Sequence, residues 1–157
     1  MSAPTTLQHL LDRSAIADVC VRYATALDGR DWELLATCFT DDVVTEYGGG
    51  RQEGFSAFER TTRRWLTPAV ASQHQISNVV VDLDGDTARS RCLVRADHVH
   101  EDLPGRNLVF VGRYHDTLAR TDAGWRIAQR RFDIWWTQGD PDVLGYRPRS
   151  RDPEAGA

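Results

Sequence analysis

Two hydrophobic periods divide this chain, and their segregation narrows its fold more than any other feature. The first third repeats apolar residues at helical spacing, whereas residues 73–137 alternate as strands do. Ile16, Val19, Tyr23, Ala26 and Leu27 form one apolar stripe, which Leu7, Leu10 and Leu11 open. Asp12 or Ser14 can cap the start, and Gly29 can end the helix in the left-handed conformation. Asp31 reads as the N-cap of a second helix, with Glu33 in its first turn and Trp32, Leu35, Cys38 and Phe39 as its buried face. A short strand, Val43 to Tyr47, precedes Gly48-Gly49-Gly50. Ser56-Ala57-Phe58-Glu59 has the form of a capping box. The third helix that it predicts carries Phe55, Phe58, Trp65 and Leu66, and Pro68 stops it.

Four strands are expected next: Gln73 to Leu83, Thr87 to His100, Leu108 to Arg120 and Trp125 to Thr137. Asp84-Gly85 supplies the first hairpin turn, Leu103-Pro104-Gly105-Arg106 the second and Thr121-Asp122-Ala123-Gly124 the third. Helices first and sheet afterwards predict an α+β fold rather than a parallel βαβ one. At 157 residues the chain fits one domain. Its expected extent is 1–137, with a Pro/Gly-rich tail over 138–157.

Composition excludes several functions. The net charge is −4 and the basic residues are interspersed with acidic ones, so nucleic acid is not an expected partner. No run of eighteen apolar residues occurs, and the first residues lack the pattern of a signal peptide. A cytoplasmic protein with no membrane contact is the expectation. Cys20, Cys38 and Cys92 are odd in number and widely spaced, which predicts buried reduced thiols.

A few polar residues fall where chemistry is expected. His74 shares a strand face with Ile76, Asn78 and Val80 and must find a partner among apolar neighbours. Asp28 ends a helix, where the partial negative charge calls for a compensating donor. A satisfied core histidine and a turn aspartate are the plain alternatives. If the two meet, Asp28 fixes the imidazole's tautomer and His74 becomes a general base. Tyr23 is on the apolar stripe, so its hydroxyl points to the core or to a cavity. Arg130 heads a strand row with Phe132, Ile134 and Trp136, which suits either a pocket anion binder or a salt bridge. His98-x-His100 places two imidazoles on one face, a spacing that can ligate metal. The helical first third tells against an all-β metal fold, so no metal and no cofactor are assigned. A strict turn at Asp84-Gly85 sets His74 on the face of Arg95 and Asp97, and a bulge sets it on that of His98. His98 is preferred, with Asp97 as its rival.

The chain also resembles the SnoaL-like group of the nuclear transport factor 2-like superfamily. The resemblance spans about residues 7–137. It rests on Ile16-Ala17-Asp18 through Tyr23, Ala26-Leu27-Asp28, Asp31-Trp32, Phe39-Thr40-Asp41-Asp42, and His74 with Asn78. Asp84-Gly85-Asp86-Thr87-Ala88, Gly112-Arg113-Tyr114-His115-Asp116 and Gly124-Trp125-Arg126-Ile127 complete it. It implies a cone: a curved antiparallel sheet wrapped around the N-terminal helices, enclosing an apolar pocket. It implies a catalytic pair in Asp28 and His74, as in the family's bile-acid 7α-dehydratase and hexachlorocyclohexane dehydrochlorinase. Tyr23 matches a tyrosine of the former and stands where the latter has a lysine. Arg130 resembles the family's pocket arginine. His98 resembles a second histidine of scytalone dehydratase, and Tyr47 is the nearest match to that enzyme's further pocket tyrosine. Trp65, Asn78, Phe110, Phe132 and Trp136 are expected to bind substrate.

The function expected on this footing is a cofactor-independent lyase or dehydratase acting on a small, largely apolar molecule. His74 is the base, and Tyr23, His98 and Arg130 are hydrogen-bond donors. A cyclase or isomerase of secondary metabolism using the same residues, and a non-catalytic binding or assembly module, are the alternatives. The resemblance and the adjacent Trp135-Trp136 further suggest a homodimer or homotrimer.

Overall fold

The computed structural model describes residues 6–48, 50–100 and 105–145. Helix α1 (Leu7–Gly29) is followed by a short α2 (Trp32–Ala36), then by strands β1 (Phe39–Tyr47) and β2 (Gly50–Glu53). Helix α3 (Phe55–Leu66) leads into β3 (Ala69–Asp84), β4 (Thr87–His100), β5 (Asn107–Thr121) and β6 (Gly124–Gly139). A single 3-10 turn, Pro141–Val143, closes the described chain. The six strands form one open sheet in the order β2-β1-β6-β5-β4-β3. The α+β architecture read from the two periods is the one the chain adopts. The sheet is mixed, because β1 runs parallel to β6 while every other pair is antiparallel.

The expected stripe on α1 is buried: Ile16, Val19, Cys20, Tyr23, Ala26 and Leu27 join one core with the inward residues of the sheet. Its first turns differ from expectation. Leu7, Leu10 and Leu11 are exposed, and the cap is Thr6, whose hydroxyl accepts from the His9 N–H at 3.2 Å. Asp12 is not a cap but a buried carboxylate on the stripe. It receives both Arg120 Nη1 and Nη2 at 2.8 Å and the Trp125 indole N–H at 3.0 Å. These bonds pin α1 to β5 and β6. At the other end Arg30, not Gly29, takes the left-handed conformation, with φ 55°. Asp31 caps α2 as expected, its carboxylate accepting from the Leu34 N–H at 2.9 Å. Ser56 does not cap α3: that helix begins one residue earlier behind Gly54, and no side chain bonds its first turn. The three cysteines are free and buried.

Bulges reset which residues face inward. The β3–β4 hairpin turns on Gly85-Asp86, where Gly85 has φ 59°, and Asp84 lies opposite Thr87. Farther along, Asn78 sits in the left-handed region at φ 53° where the register shifts by one residue. The shift places His74 opposite Ala96 and Ser72 opposite His98. Two further shifts break β6, one between the Thr117 and Leu118 pairings and one between Val111 and Gly112. The first puts Trp125 and Ile127 on the same inward face as Arg130, although strict alternation separates them. The second turns Trp136 outward. Gly112 is required there, because a Cβ would lie 2.1 Å from the Asp133 carbonyl oxygen.

The domain continues past residue 137. Val143 and Leu144 are buried in the core cluster. Residues 146–157 of the expected tail, with Gly49, Leu103, Pro104 and the Glu101-Asp102 end of the histidine cluster, lie outside the described residues. Among the described residues, no helix is long and apolar enough to cross a membrane.

The Asp12 cluster gives the fold a pH-dependent element. Hydrogen bonds from Arg120 and Trp125 hold the Asp12 carboxyl well below the ordinary carboxylate range, although burial opposes them. A depressed folded-state value stabilises the fold fully above the unfolded value of about 3.9, and that contribution declines as the pH falls below it. Asp12→Asn is therefore expected to lower Tm by a few degrees at neutral pH. Thermal unfolding followed by circular dichroism should show the gap from the parent protein narrowing below about pH 4.

Candidate active site

The end of α1 lies against the start of β3, and this contact brings together the two residues singled out first. Asp28 Oδ1 lies 2.7 Å from His74 Nδ1, and Asp28 Oδ2 accepts the His74 backbone N–H at 2.8 Å. The Ser72 hydroxyl donates to Oδ1 at 3.2 Å. Arg30, which sequence reasoning passed over, donates to that hydroxyl oxygen at 2.7 Å and to the Ala69 carbonyl at 3.2 Å. The guanidinium thus ties the helix end to the strand that carries His74. Burial alone would raise the Asp28 carboxyl, but the ring and backbone donors of His74 outweigh it and hold the group below its ordinary value. An ionised carboxylate only accepts, so the bridging proton is on His74 Nδ1, and in the neutral ring Nε2 carries the lone pair. The His74 side chain is 5% exposed.

His74 opens onto an apolar cavity of about 110 Å³. Of the expected lining, Trp65, Phe110 and Phe132 are in its wall, as are Tyr23 and His98. Tyr47, Phe58, Tyr114, Ile134 and Leu144 complete much of the surface. Tyr23 and Tyr47 meet through their hydroxyls at 3.1 Å, so one donates and the other retains a proton for a ligand. Burial raises Tyr47 and Tyr114 well above the ordinary phenol value, which keeps both protonated. Tyr114 was visible only as the inward alternation Phe110, Gly112, Tyr114; Leu144 had no signal beyond an apolar residue in a Pro/Gly-rich stretch.

His98 faces the cavity and Asp97 does not. The bulge at Asn78 settles the register, and Asp97 bonds Arg95 on the opposite face at 2.9 Å. The His74 and His98 rings are perpendicular with centroids 5.5 Å apart. His98 Nδ1 lies 3.3 Å from the Leu108 carbonyl oxygen, which can only accept. Burial, reinforced by the neighbouring His74, lowers His98 to about 4. It is therefore neutral at physiological pH with its proton on Nδ1. The expected donor role fails for that reason: Nε2 has no proton to give.

Three other expectations are corrected. Arg130 is fully buried but outside the cavity wall, and it is bound by Asp116 through two contacts of 2.7 Å. Its guanidinium carbon lies 4.1 Å from the Tyr23 ring centroid and 4.2 Å from that of Tyr114. Burial would lower Arg130, but Asp116 holds it well above its ordinary value. A cation buried this deeply needs its counter-ion, and the geometry is that of a structural pair beneath the tyrosines. Asn78 is exposed at its bulge, and Trp136 is 53% exposed and stacked on Trp135, so neither borders the cavity. On the outer face His115 lies 3.0 Å from Asp133. Among the described residues no three His, Cys, Asp or Glu side chains gather as metal ligands.

Residues 8–131 match the family model described as the SnoaL-like domain, and the chain belongs to that family. It is similar to an uncharacterized protein of Mycobacterium tuberculosis, 29% identical over 130 residues, with 80% of this chain and 86% of the relative covered. Among solved structures it is similar to one from Novosphingobium aromaticivorans provisionally named an aromatic ring hydroxylase. That match has 28% identity and a TM-score of 0.79, covering 91% of this chain and 99% of the other. A second protein of that organism, provisionally named a scytalone dehydratase, shares the fold. Its TM-score is 0.81 at 24% identity, with coverage of 98% and 99%.

Two measurements probe this geometry. Glycine tolerates the backbone of residue 30, so Arg30→Gly should fold while losing the brace on Ser72. The downfield proton resonance of the His74–Asp28 bond should then broaden through faster exchange, as it should in Ser72→Ala. The second concerns His98, whose folded value is depressed. It stabilises the protein fully above the unfolded value of about 6.5, and that contribution is lost as the pH falls toward 4. Chemical denaturation should show the parent protein losing stability between pH 6.5 and 4, and His98→Gln flattening that slope.

Proposed function

We propose that this protein is a cofactor-independent lyase of the dehydratase type, with His74 as general base and Asp28 as its orienting partner. The observation that carries the reading is the 2.7 Å Asp28–His74 contact at the edge of an apolar cavity. A binding module has no need of an imidazole that is held by a half-buried carboxylate and lines the ligand space. The fold neighbour named for scytalone dehydration agrees with elimination chemistry at the level of fold.

In the proposed reaction His74 Nε2 takes a proton from a carbon beside an activating oxygen. The released electron pair forms a carbon–carbon double bond, and the neighbouring C–O bond breaks. The departing oxygen takes the proton back from the His74 imidazolium and leaves as water. The retained proton of the Tyr23–Tyr47 pair bonds the oxygen on which charge develops. Asp28 stabilises the imidazolium while it exists.

The test is loss of water from neutral ring-shaped β-hydroxy ketones, followed by mass spectrometry. Asp28→Asn and His74→Ala should each reduce turnover by at least about 10²-fold while leaving the fold intact. Undiminished turnover in His74→Ala would reject the proposal.

A further inference from the structure

His98 has only one ring nitrogen with which to meet a ligand. Its Nδ1 is committed to the Leu108 carbonyl on the neighbouring strand β5. Among the described residues Nε2 has no hydrogen-bond partner, and His98 lines the cavity while being only 4% exposed overall. A buried acceptor left without a donor costs free energy, so a ligand that fills the cavity and ignores Nε2 is penalised. The Tyr23–Tyr47 pair has the opposite polarity, since it holds one proton to give. The His74 ring neighbours both, with centroids 5.5 Å from His98 and 6.4 Å from Tyr23.

The cavity is also uncharged. None of the residues lining it is Asp, Glu, Lys or Arg. The charges around it are engaged behind the wall: Asp28 by His74 and Ser72, Arg130 by Asp116. An anionic ligand would leave water for a site without a free counter-ion, which is strongly unfavourable. The lining is dominated by aromatic rings, among them Phe58, Trp65, Phe110 and Phe132. A volume of about 110 Å³ leaves room for no more than a single six-membered ring, given that an apolar cavity of about 150 Å³ holds benzene.

We infer that His98 is a fixed hydrogen-bond acceptor that selects the substrate: an uncharged, single-ring molecule carrying a hydroxyl for His98 and a second oxygen for the tyrosine pair. The assignment rests on the proton-transfer reading for what happens to such a molecule, but not for whether it binds. Between the two anchors, the carbon that faces His74 is the one poised for deprotonation. Molecules of the same ring size without a donor, or with a carboxylate, are excluded by polarity rather than by shape.

The experiment compares phenol, anisole, toluene and benzoate by NMR titration of the intact protein. Phenol should bind about 5- to 10-fold more tightly than anisole, because only phenol can donate to Nε2. Benzoate should be weaker than phenol by at least roughly 10-fold. In His98→Phe the advantage of phenol over anisole should shrink to within about twofold. The ring nitrogen-15 spectrum of the parent protein decides the tautomer even if that variant does not fold: the inference requires Nδ1–H with Nε2 unprotonated. Equal affinities for phenol and anisole, a phenol advantage that survives in His98→Phe, preferential binding of benzoate, or a proton on Nε2 would each overturn it. The outcome is separable from that of the lyase reading. Elimination can fail while the phenol preference stands, and turnover that depends on His74 can be found while the preference is absent.

Discussion

A one-residue insertion in a strand exchanges its two faces from that point onward, and the cavity depends on where those insertions fall. At Asn78 the shift lets His74 and His98 share a face although the two-residue turn at Gly85-Asp86 alone would part them. In β6 the shift that follows Ile127 brings Arg130, Phe132 and Ile134 inward behind Trp125 and Ile127, and the later one sends Trp136 out. Each bulge also bends its strand, which lets an open sheet curve around α1 and leave room beside it. The chemistry of the cavity is therefore decided by backbone register before any side chain is considered.

Much of this architecture is legible in the sequence and some of it is not. The 3.6 period of Ile16, Val19, Tyr23 and Leu27 and the alternation from residue 73 onward report burial directly, so the helices and four of the strands follow from them. Strand β2 escaped because it is four residues long and has no apolar pattern. The Asp28–His74 pair was ambiguous on spacing and became distinct through family resemblance; their meeting is a tertiary contact between residues 46 positions apart. Asn78 and Trp136 were misplaced for one reason: alternation counts residues, and a bulge adds one without a sequence mark. Arg130 was misread for another. Its partner Asp116 is visible only once β5 and β6 are paired, and a buried arginine held by a bidentate carboxylate already has its counter-ion.

Arg30 and Asp12 show how polar residues on a mostly apolar frame become structural. Each sits where helix propensity gives no hint of importance. Arg30 accepts a left-handed backbone that glycine would adopt more readily, and its guanidinium reaches across to Ser72 and the Ala69 carbonyl. Asp12 accepts from one arginine and one tryptophan on two different strands, besides Gln8 on its own helix. Together they fix both ends of α1 on the sheet, and the helix end that carries Asp28 inherits that rigidity.

That rigidity matters because the two cavity imidazoles have the same tautomer for different reasons. In His74 a carboxylate holds the Nδ1 proton, so positive charge arriving at Nε2 has a counter-charge already in place. In His98 a neutral carbonyl holds it, so positive charge there has none, and burial keeps the ring neutral to about pH 4. Two histidines 5.5 Å apart are thus distinguished by the groups behind them rather than by the cavity they share. Under the proposed reaction only His74 can take up a proton without electrostatic penalty, and His98 is confined to recognising one. The partition follows from which strand lies behind each ring: the helix end with Asp28 behind β3, and the β5 carbonyl of Leu108 behind β4.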